Sequence, residues 1–110
     1  MFRKCCRCCK CCYNRYMDKY DINMEQLKNM MLEGAIVIDI RSPQEFDEGH
    51  INGSINIPDY EIIKRISNYD KNQIIIVYCG PGIRSKNVQR KLQKMGYINS
   101  YNLYKGTENY

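Results

Sequence analysis

The sequence predicts a small α/β domain with a mostly parallel sheet flanked by helices. Short β-branched runs, such as 73–78, alternate along the chain with segments whose apolar residues recur at helical spacing. Strands that alternate with helices pair in parallel, because each helix carries the chain back across the sheet. Polar residues fall at the carboxyl ends of two predicted strands, Asp39 and Arg41 at one and Cys79 at the other. Since functional sites in parallel sheets form at the carboxyl ends of the strands, we expect a site at this edge.

Capping and stop signals place the elements in chain order. Asn23 and Gln26 form a capping box for a first helix, which Gly34 ends. Four apolar residues line one face of this helix: Met24, Leu27, Met30 and Met31. The other predicted elements are strands over 35–40, 55–57, 73–78 and 101–104, a helix capped by Asp59, a helix over 85–95 stopped by Gly96, and the start of a turn over 106–110.

Residues 1–19 differ in composition from the rest of the chain. The whole formal net charge of +5 lies there, together with six of the seven cysteines, which fall between positions 5 and 12. Residues 20–110 carry basic and acidic side chains in equal numbers. We therefore predict a basic, cysteine-rich extension over 1–19 and one domain over 20–110, with no basic surface on the domain for nucleic acid.

Hydropathy gives an expectation about the cell compartment. No apolar run approaches the roughly 18–20 residues that span a bilayer. The first residues lack the apolar stretch of a signal peptide. The sequence therefore predicts an intracellular, cytoplasmic protein, in which a reducing environment keeps a cysteine free.

Cys79 is the candidate nucleophile. It lies between a buried β-branched run and a helix, and the loop that follows it contains Gly80, Pro81 and Gly82. Such a loop can turn its N–H groups inward, and the helix N-terminus adds partial positive charge. Both effects favour the reactive thiolate over the thiol. The alternative is a buried core cysteine followed by a turn.

Three ordered segments resemble a single-domain rhodanese: Val37–Arg41, Glu45–Pro58 and Cys79–Ser85. The resemblance covers about residues 21–110 and implies a small three-layer domain. The last residues are similar to the family's Gly-Gly-x-x-x-Trp ending, with Lys105 in place of the first glycine and Tyr110 in place of the tryptophan.

The resemblance implies sulfur transfer through a Cys79 persulfide. The sulfur would come from thiosulfate or from a persulfide on a small molecule or protein, and would pass to a thiol or to cyanide. No cofactor and no metal are implied. The alternative is a non-enzymatic persulfide carrier or a protein-interaction domain. The residues implied in substrate binding are those of the loop: Gly80, Pro81, Gly82, Ile83, Arg84 and Ser85.

The length and charge of the loop refine this expectation. The spacing from Cys79 to Arg84 is one residue shorter than in the phosphatases that share the fold, which favours sulfur over phosphoryl chemistry. Many relatives carry Arg or Lys where this chain has Gly80, so binding of anionic thiosulfate is expected to be weak. Arg84 either binds the donor and stabilises the thiolate, or closes the loop through a structural ion pair.

Three further residues are expected to support the site structurally. Asp39 either orients the loop or pairs with Arg41, and the structural role is favoured. His50 is the only histidine in the chain, but a thiolate that attacks a sulfane sulfur needs no base. In the resembling family this histidine lies in a turn that packs the fold.

The cysteine pairs between 5 and 12 leave three interpretations open. Acylated cysteines beside Arg and Lys would anchor the chain at an anionic membrane surface. Thiolates also bind soft metals or take part in redox chemistry, including the passage of sulfur to or from Cys79. The pairs lack the spacing of a structural zinc module. The third interpretation is a low-complexity extension without a selected role.

Overall fold

The computed structural model of the protein describes residues 18–106. The cysteine pairs of the extension lie outside the described residues, as do residues 107–110 of the turn predicted over 106–110. Within residues 18–106, no helix is long and apolar enough to cross a bilayer.

Five strands alternate with four α-helices in the described residues. In chain order they are β1 (Asp21–Ile22), α1 (Met24–Leu32), β2 (Ile36–Asp39), α2 (Pro43–Glu48), β3 (Ile55–Asn56), α3 (Asp59–Arg65), a 3-10 turn over Ile66–Asn68, β4 (Ile75–Tyr78), α4 (Ile83–Lys94) and β5 (Ser100–Leu103).

The five strands form one parallel sheet in the order β1-β5-β4-β2-β3. The register pairs Asp39 with Tyr78, at the carboxyl ends of β2 and β4. The residues that follow these two strands therefore emerge at the same edge of the sheet. The predicted α/β class with a mostly parallel sheet is confirmed.

Alternate residues of the central strand β4 enter two separate apolar cores. Ile75 and Val77 pack in one core with residues of α3 and α4, whereas Ile76 and Tyr78 pack in the other with Leu27 of α1. A strand buried on both faces requires apolar residues at every position, which accounts for the unbroken run in β4. Helices thus cover both faces of the sheet and produce three layers.

The first helix begins and ends where the sequence predicts. The side chain of Asn23 accepts a hydrogen bond from the Gln26 N–H, and the Gln26 side chain accepts from the Asn23 N–H, at 2.8 Å each. Gly34 follows the helix with a φ of 99°, in the left-handed region that glycine enters without strain. Leu27 is fully buried, and the three methionines pack partly against the same core.

The predicted cap at Asp59 is wrong. Pro58 occupies the cap position of α3 and makes no side-chain cap bond, and Asp59 is the first helical residue. Pro58 has extended backbone angles that suit this position, and the Asp59 carboxylate instead faces the guanidinium of Arg84. An acidic residue in the first turn still stabilises the helix through the dipole.

Two elements were not predicted, and one begins earlier than predicted. The helix α2 has a capping box between Ser42 and Glu45, with Pro43 in its first turn. The strand β1 has only two residues, too few to produce an alternating pattern. The helix α4 begins at Ile83, two residues before the predicted start, because Gly82 reverses the chain with a φ of 89°.

Candidate active site at the Cys79 loop

The Cys79 side chain is completely buried between the end of β4 and the start of α4. Its Sγ accepts a hydrogen bond from the backbone N–H of Gly82 at 3.2 Å. Gly82 is also the N-cap of α4 and has no side chain to cap the helix. The sulfur thus lies at the N-terminus of a twelve-residue helix, where N–H groups and the helix dipole stabilise negative charge.

The segment after β5 packs closely against this loop. A Cβ at Gly82 would lie 2.8 Å from the backbone N of Lys105, and a Cβ at Gly106 would overlap the carbonyl oxygen of Cys79. Lys105 has a φ of 66° and is the single non-glycine residue with positive φ among the described residues. The resembling family carries glycine at this position. Here Lys105 adopts the left-handed backbone that glycine enters more easily.

A buried hydrogen-bond network runs inward from the sulfur. The Cys79 thiol donates to Ser85 Oγ at 3.4 Å, and the Ser85 hydroxyl donates to Asn102 Oδ1 at 2.5 Å. Asn102 Nδ2 in turn donates to Asp21 Oδ1 at 3.0 Å. All four residues are at most 7% exposed, so their polar groups depend on one another rather than on water.

Lys86 closes the outer end of this network. Its ammonium lies 3.2 Å from the Asp21 carboxylate and 2.8 Å from that of Asp18. Partial burial opposes ionisation of Asp18, but hydrogen bonds from Lys86 and from the Tyr20 N–H outweigh it and lower the pKa of this carboxyl. The turn that begins β1 is therefore tied to the helix that follows the Cys79 loop.

Two clefts flank the loop. The larger has a volume of about 640 Å³ and reaches from Pro81 and Gly82 to Lys86 and Arg90. The smaller has a volume of about 330 Å³ and is lined in part by Arg84. Both are open to solvent, so there is space for a substrate on either side of the loop.

The predicted substrate-binding residues divide into a buried and an exposed set. Gly82 and Ser85 are buried and touch the sulfur, whereas Pro81 and Ile83 are exposed on the outside of the loop and Gly80 is half-buried. The Arg84 guanidinium is more than half exposed and lies 3.7 Å from the Asp59 carboxylate. In this conformation the Arg84 guanidinium pairs with Asp59 at the surface of the protein.

Asp39 and Arg41 pair with each other at the end of β2. The buried Asp39 carboxylate accepts from the Arg41 backbone N–H and from two guanidinium nitrogens at 2.8–3.1 Å. These hydrogen bonds raise the pKa of Arg41 above its ordinary value. Arg41 also donates to the Gly49 carbonyl at 2.6 Å. These contacts hold the end of β2 against the turn after α2.

His50 lies in a turn after α2 and is exposed. Its ring stacks on Phe46 with 3.6 Å between the ring centroids, and its Nδ1 is 2.8 Å from the Phe46 carbonyl. Both contacts are local. The arrangement matches a residue that packs the turn.

Tyr78 is the last residue of β4 and lies directly before Cys79. Its hydroxyl accepts from the Ile51 N–H at 3.0 Å and lies 3.1 Å from Ser54 Oγ. Complete burial of this side chain raises the pKa of Tyr78 to about 12. The hydroxyl therefore stays protonated and holds the segment after α2 against the sheet.

Three residues of this region were not predicted from the sequence: Asp21, Lys86 and Asn102. A signal for Asn102 exists in the strand pattern. Ser100 and Asn102 alternate in β5 at buried positions where a sheet normally carries apolar residues, and a buried amide requires a polar partner. Among residues 18–106, no cluster of His, Cys, Asp and Glu is arranged to hold a metal ion.

A family model for the rhodanese-like domain matches residues 23–110. The chain belongs to this family. The rhodanese-like chain is 33% identical over 87 residues to the thiosulfate sulfurtransferase GlpE of Pseudomonas entomophila. The match covers 79% of this chain and 80% of the relative. It is 39% identical over 67 residues to the thiosulfate sulfurtransferase PspE of Escherichia coli, with 59% and 64% covered.

Solved structures support the same fold. A rhodanese-like domain protein from Staphylococcus aureus is 30% identical, with a TM-score of 0.71, and the match covers 81% of this chain and 88% of that one. The reduced CoADR-RHD of Bacillus anthracis is 29% identical, with a TM-score of 0.74, and the match covers 81% of this rhodanese-like chain and 16% of that one.

Proposed function

We propose that this rhodanese-like protein is a sulfurtransferase that uses Cys79 as its nucleophile. It moves a sulfane sulfur from thiosulfate or a persulfide donor to a thiol or to cyanide. The observation that carries the proposal is the Gly82 N–H hydrogen bond to Cys79 Sγ at the N-terminus of α4. Relatives named thiosulfate sulfurtransferase, at 33% and 39% identity, support the same chemistry.

The reaction proceeds in two half-reactions. The Cys79 thiolate attacks the outer sulfur of thiosulfate, a new S–S bond forms, and sulfite leaves with the electron pair of the old one. The acceptor then attacks the outer sulfur of the Cys79 persulfide, and the Cys79 thiolate returns. No external oxidant is consumed, and the covalent intermediate predicts ping-pong kinetics.

The loop favours this chemistry electrostatically. The persulfide is an anion, and the N–H groups at the start of a helix stabilise an anion without reorganisation. Donor binding falls to Arg84, which is more than half exposed and lines the smaller cleft. Its ion pair with Asp59 spans 3.7 Å at the surface, where such a pair contributes at most about 1 kcal/mol, so an anionic donor can replace it.

The partners we propose are a small-molecule or protein persulfide donor and a thiol acceptor. Nucleic acid is not among them. The extension over 1–19 adds contact with an anionic membrane surface, because its basic side chains are attracted to acidic lipid.

Thiocyanate formation from thiosulfate and cyanide tests the function. The full chain should produce thiocyanate with ping-pong kinetics, and Cys79→Ser should lose this activity. Cys12→Ser is the matched control, because it makes the same substitution in the extension, and it should keep the activity. Equal rates in both variants would refute the role of Cys79. A Cys79 persulfide that forms but passes its sulfur to neither cyanide nor a small thiol would instead indicate the carrier alternative.

A further inference from the structure

The hydroxyl of Ser85 lies between two groups that are each able to accept its single proton. Cys79 Sγ is 3.4 Å away on one side, and Asn102 Oδ1 is 2.5 Å away on the other. Ser85 is completely buried, so its hydroxyl depends on these protein partners. In the described geometry the serine donates to Asn102, and the sulfur donates its own proton to the serine.

The orientation of the Asn102 amide determines this direction. Asn102 Nδ2 donates to the Asp21 carboxylate at 3.0 Å, so Asn102 Oδ1 must face Ser85. The reversed amide would place its oxygen against the negative carboxylate of Asp21 and would lose that hydrogen bond. Lys86, 3.2 Å from Asp21, stabilises the charge that makes the reversed orientation unfavourable.

A negative sulfur at Cys79 changes the balance of these bonds. A thiolate has no proton to donate, and the Ser85 hydroxyl, 3.4 Å away, would then be placed to donate to it. Ser85 can turn to the sulfur only by leaving Asn102 Oδ1 without this donor. Asn102 is 1% exposed, and an unpaired buried acceptor is costly.

We propose that Asn102, aligned by Asp21, is a positioning residue that holds the Ser85 proton away from Cys79 and so favours the protonated thiol in the resting protein. The proposal rests on the proposed function, because it concerns the same nucleophile. It can be measured without any sulfur transfer, since alkylation reports the thiolate directly.

The test is the pH dependence of Cys79 alkylation in the full chain. A short pulse of iodoacetamide is followed by trypsin digestion, and the modified fraction is read by mass spectrometry in the peptide 72–84, in which Cys79 is the single cysteine. In Asn102→Leu, which has nearly the same shape, the half-maximal pH of alkylation should fall by about half to one unit, the equivalent of one hydrogen bond.

A matched control separates this effect from a general loosening of the core. Ser100 lies in the same strand, two residues away, and is also completely buried. Ser100→Ala should leave the half-maximal pH unchanged. If Asn102→Leu does not fold, Asp21→Asn provides a second route, because a neutral residue at 21 no longer opposes reversal of the Asn102 amide.

The double variant that combines Asn102→Leu with Ser85→Ala tests whether Asn102 acts through the Ser85 hydroxyl. Because Asn102 is proposed to act through the Ser85 hydroxyl, Asn102→Leu should produce no shift when Ser85 is already Ala. An equal shift in both backgrounds, or no shift in the single variant, would overturn the proposal. A protein that shows the predicted shifts but forms no thiocyanate would retain the positioning role of Asn102 and lose the proposed sulfur transfer.

Discussion

The backbone of Gly106 lies directly against the carbonyl oxygen of Cys79, and no side chain fits between them. The segment after β5 thereby supports the loop that holds the sulfur. A Cβ on residue 106 would overlap the carbonyl oxygens of both Cys79 and Gly80. The loop must therefore move in any variant that has a side chain at this position.

We therefore predict that Gly106→Ala lowers sulfur transfer at least tenfold. Gly34→Ala is the matched control: Gly34 also has positive φ, at 99°, but a Cβ there meets nothing within 4 Å. Both variants should lose roughly 1 kcal/mol of stability from the left-handed backbone. If Gly106→Ala retained full activity, the contact would have no part in shaping the site.

The buried hydroxyl of Tyr78 predicts a loss of stability at high pH. Burial raises the pKa of Tyr78 to about 12, whereas a tyrosine in the unfolded chain ionises near pH 10. Between these values the unfolded state binds fewer protons than the folded state, so the free energy of unfolding falls as the pH rises. The contribution of this group is at most about 2–3 kcal/mol.

Tyr78→Phe isolates this contribution. The variant should be less stable at neutral pH by about 1–2 kcal/mol, because the Ile51 N–H loses its partner. The difference from the parent chain should narrow between about pH 10 and 12, as urea titrations would measure. A difference that stays constant over this range would contradict the raised pKa.

Many relatives carry Arg or Lys where this chain has Gly80, so we predict that this chain binds thiosulfate weakly. Gly80 is not among the glycines with positive φ, so a side chain there causes no left-handed backbone strain. Gly80→Arg should lower the KM for thiosulfate several-fold at low salt, since an exposed charge pair contributes roughly 0.5–1 kcal/mol. The gain should shrink as salt increases.

Gly80→Gln is the control for Gly80→Arg, because it adds a polar side chain without charge. It should leave the KM near that of the parent. A KM that is unchanged or higher in Gly80→Arg at low salt would show that the missing cation does not limit donor binding.

The cysteine-rich extension is predicted to be separable from catalysis. Asp18 contacts Lys86 in the fold, so the deletion should cover residues 1–17 and keep this ion pair. The shortened chain should retain its melting temperature and its transfer of sulfur to cyanide. The full chain should bind anionic vesicles more tightly than the deletion, in a salt-dependent manner, because each basic side chain near such a surface contributes about 1 kcal/mol. Loss of cyanide activity on deletion would place the extension in the sulfur pathway.

Local signals predicted those parts of the fold that depend on neighbours in sequence. The capping box at Asn23 and the β-branched run before Cys79 both depend on residues a few positions apart, and both are confirmed. The cap at Asp59 failed because Pro58 already has the extended backbone that a cap position requires. The two-residue strand β1 depends on pairing with β5, far along the chain.

The site could be predicted from the sequence only as far as the loop itself. Cys79 and Ser85 fall within one short segment, so the sequence shows their proximity. Parallel pairing of β1, β5 and β4 brings Asn102 and Asp21 to this site. Ser85 and Asn102 are 17 residues apart in sequence, and Asn102 and Asp21 are 81 residues apart. Contacts at such separations follow from strand order, which local pattern does not specify.

The mass of the intact chain after reaction with thiosulfate tests the central claim most directly. The full chain should gain one sulfur atom, about 32 Da, and this gain should be absent from Cys79→Ser, which lacks a comparable nucleophile. The cysteines of the extension are the same in both proteins, so a difference reports Cys79 alone. An equal gain of mass in the parent and in Cys79→Ser would contradict the persulfide at Cys79.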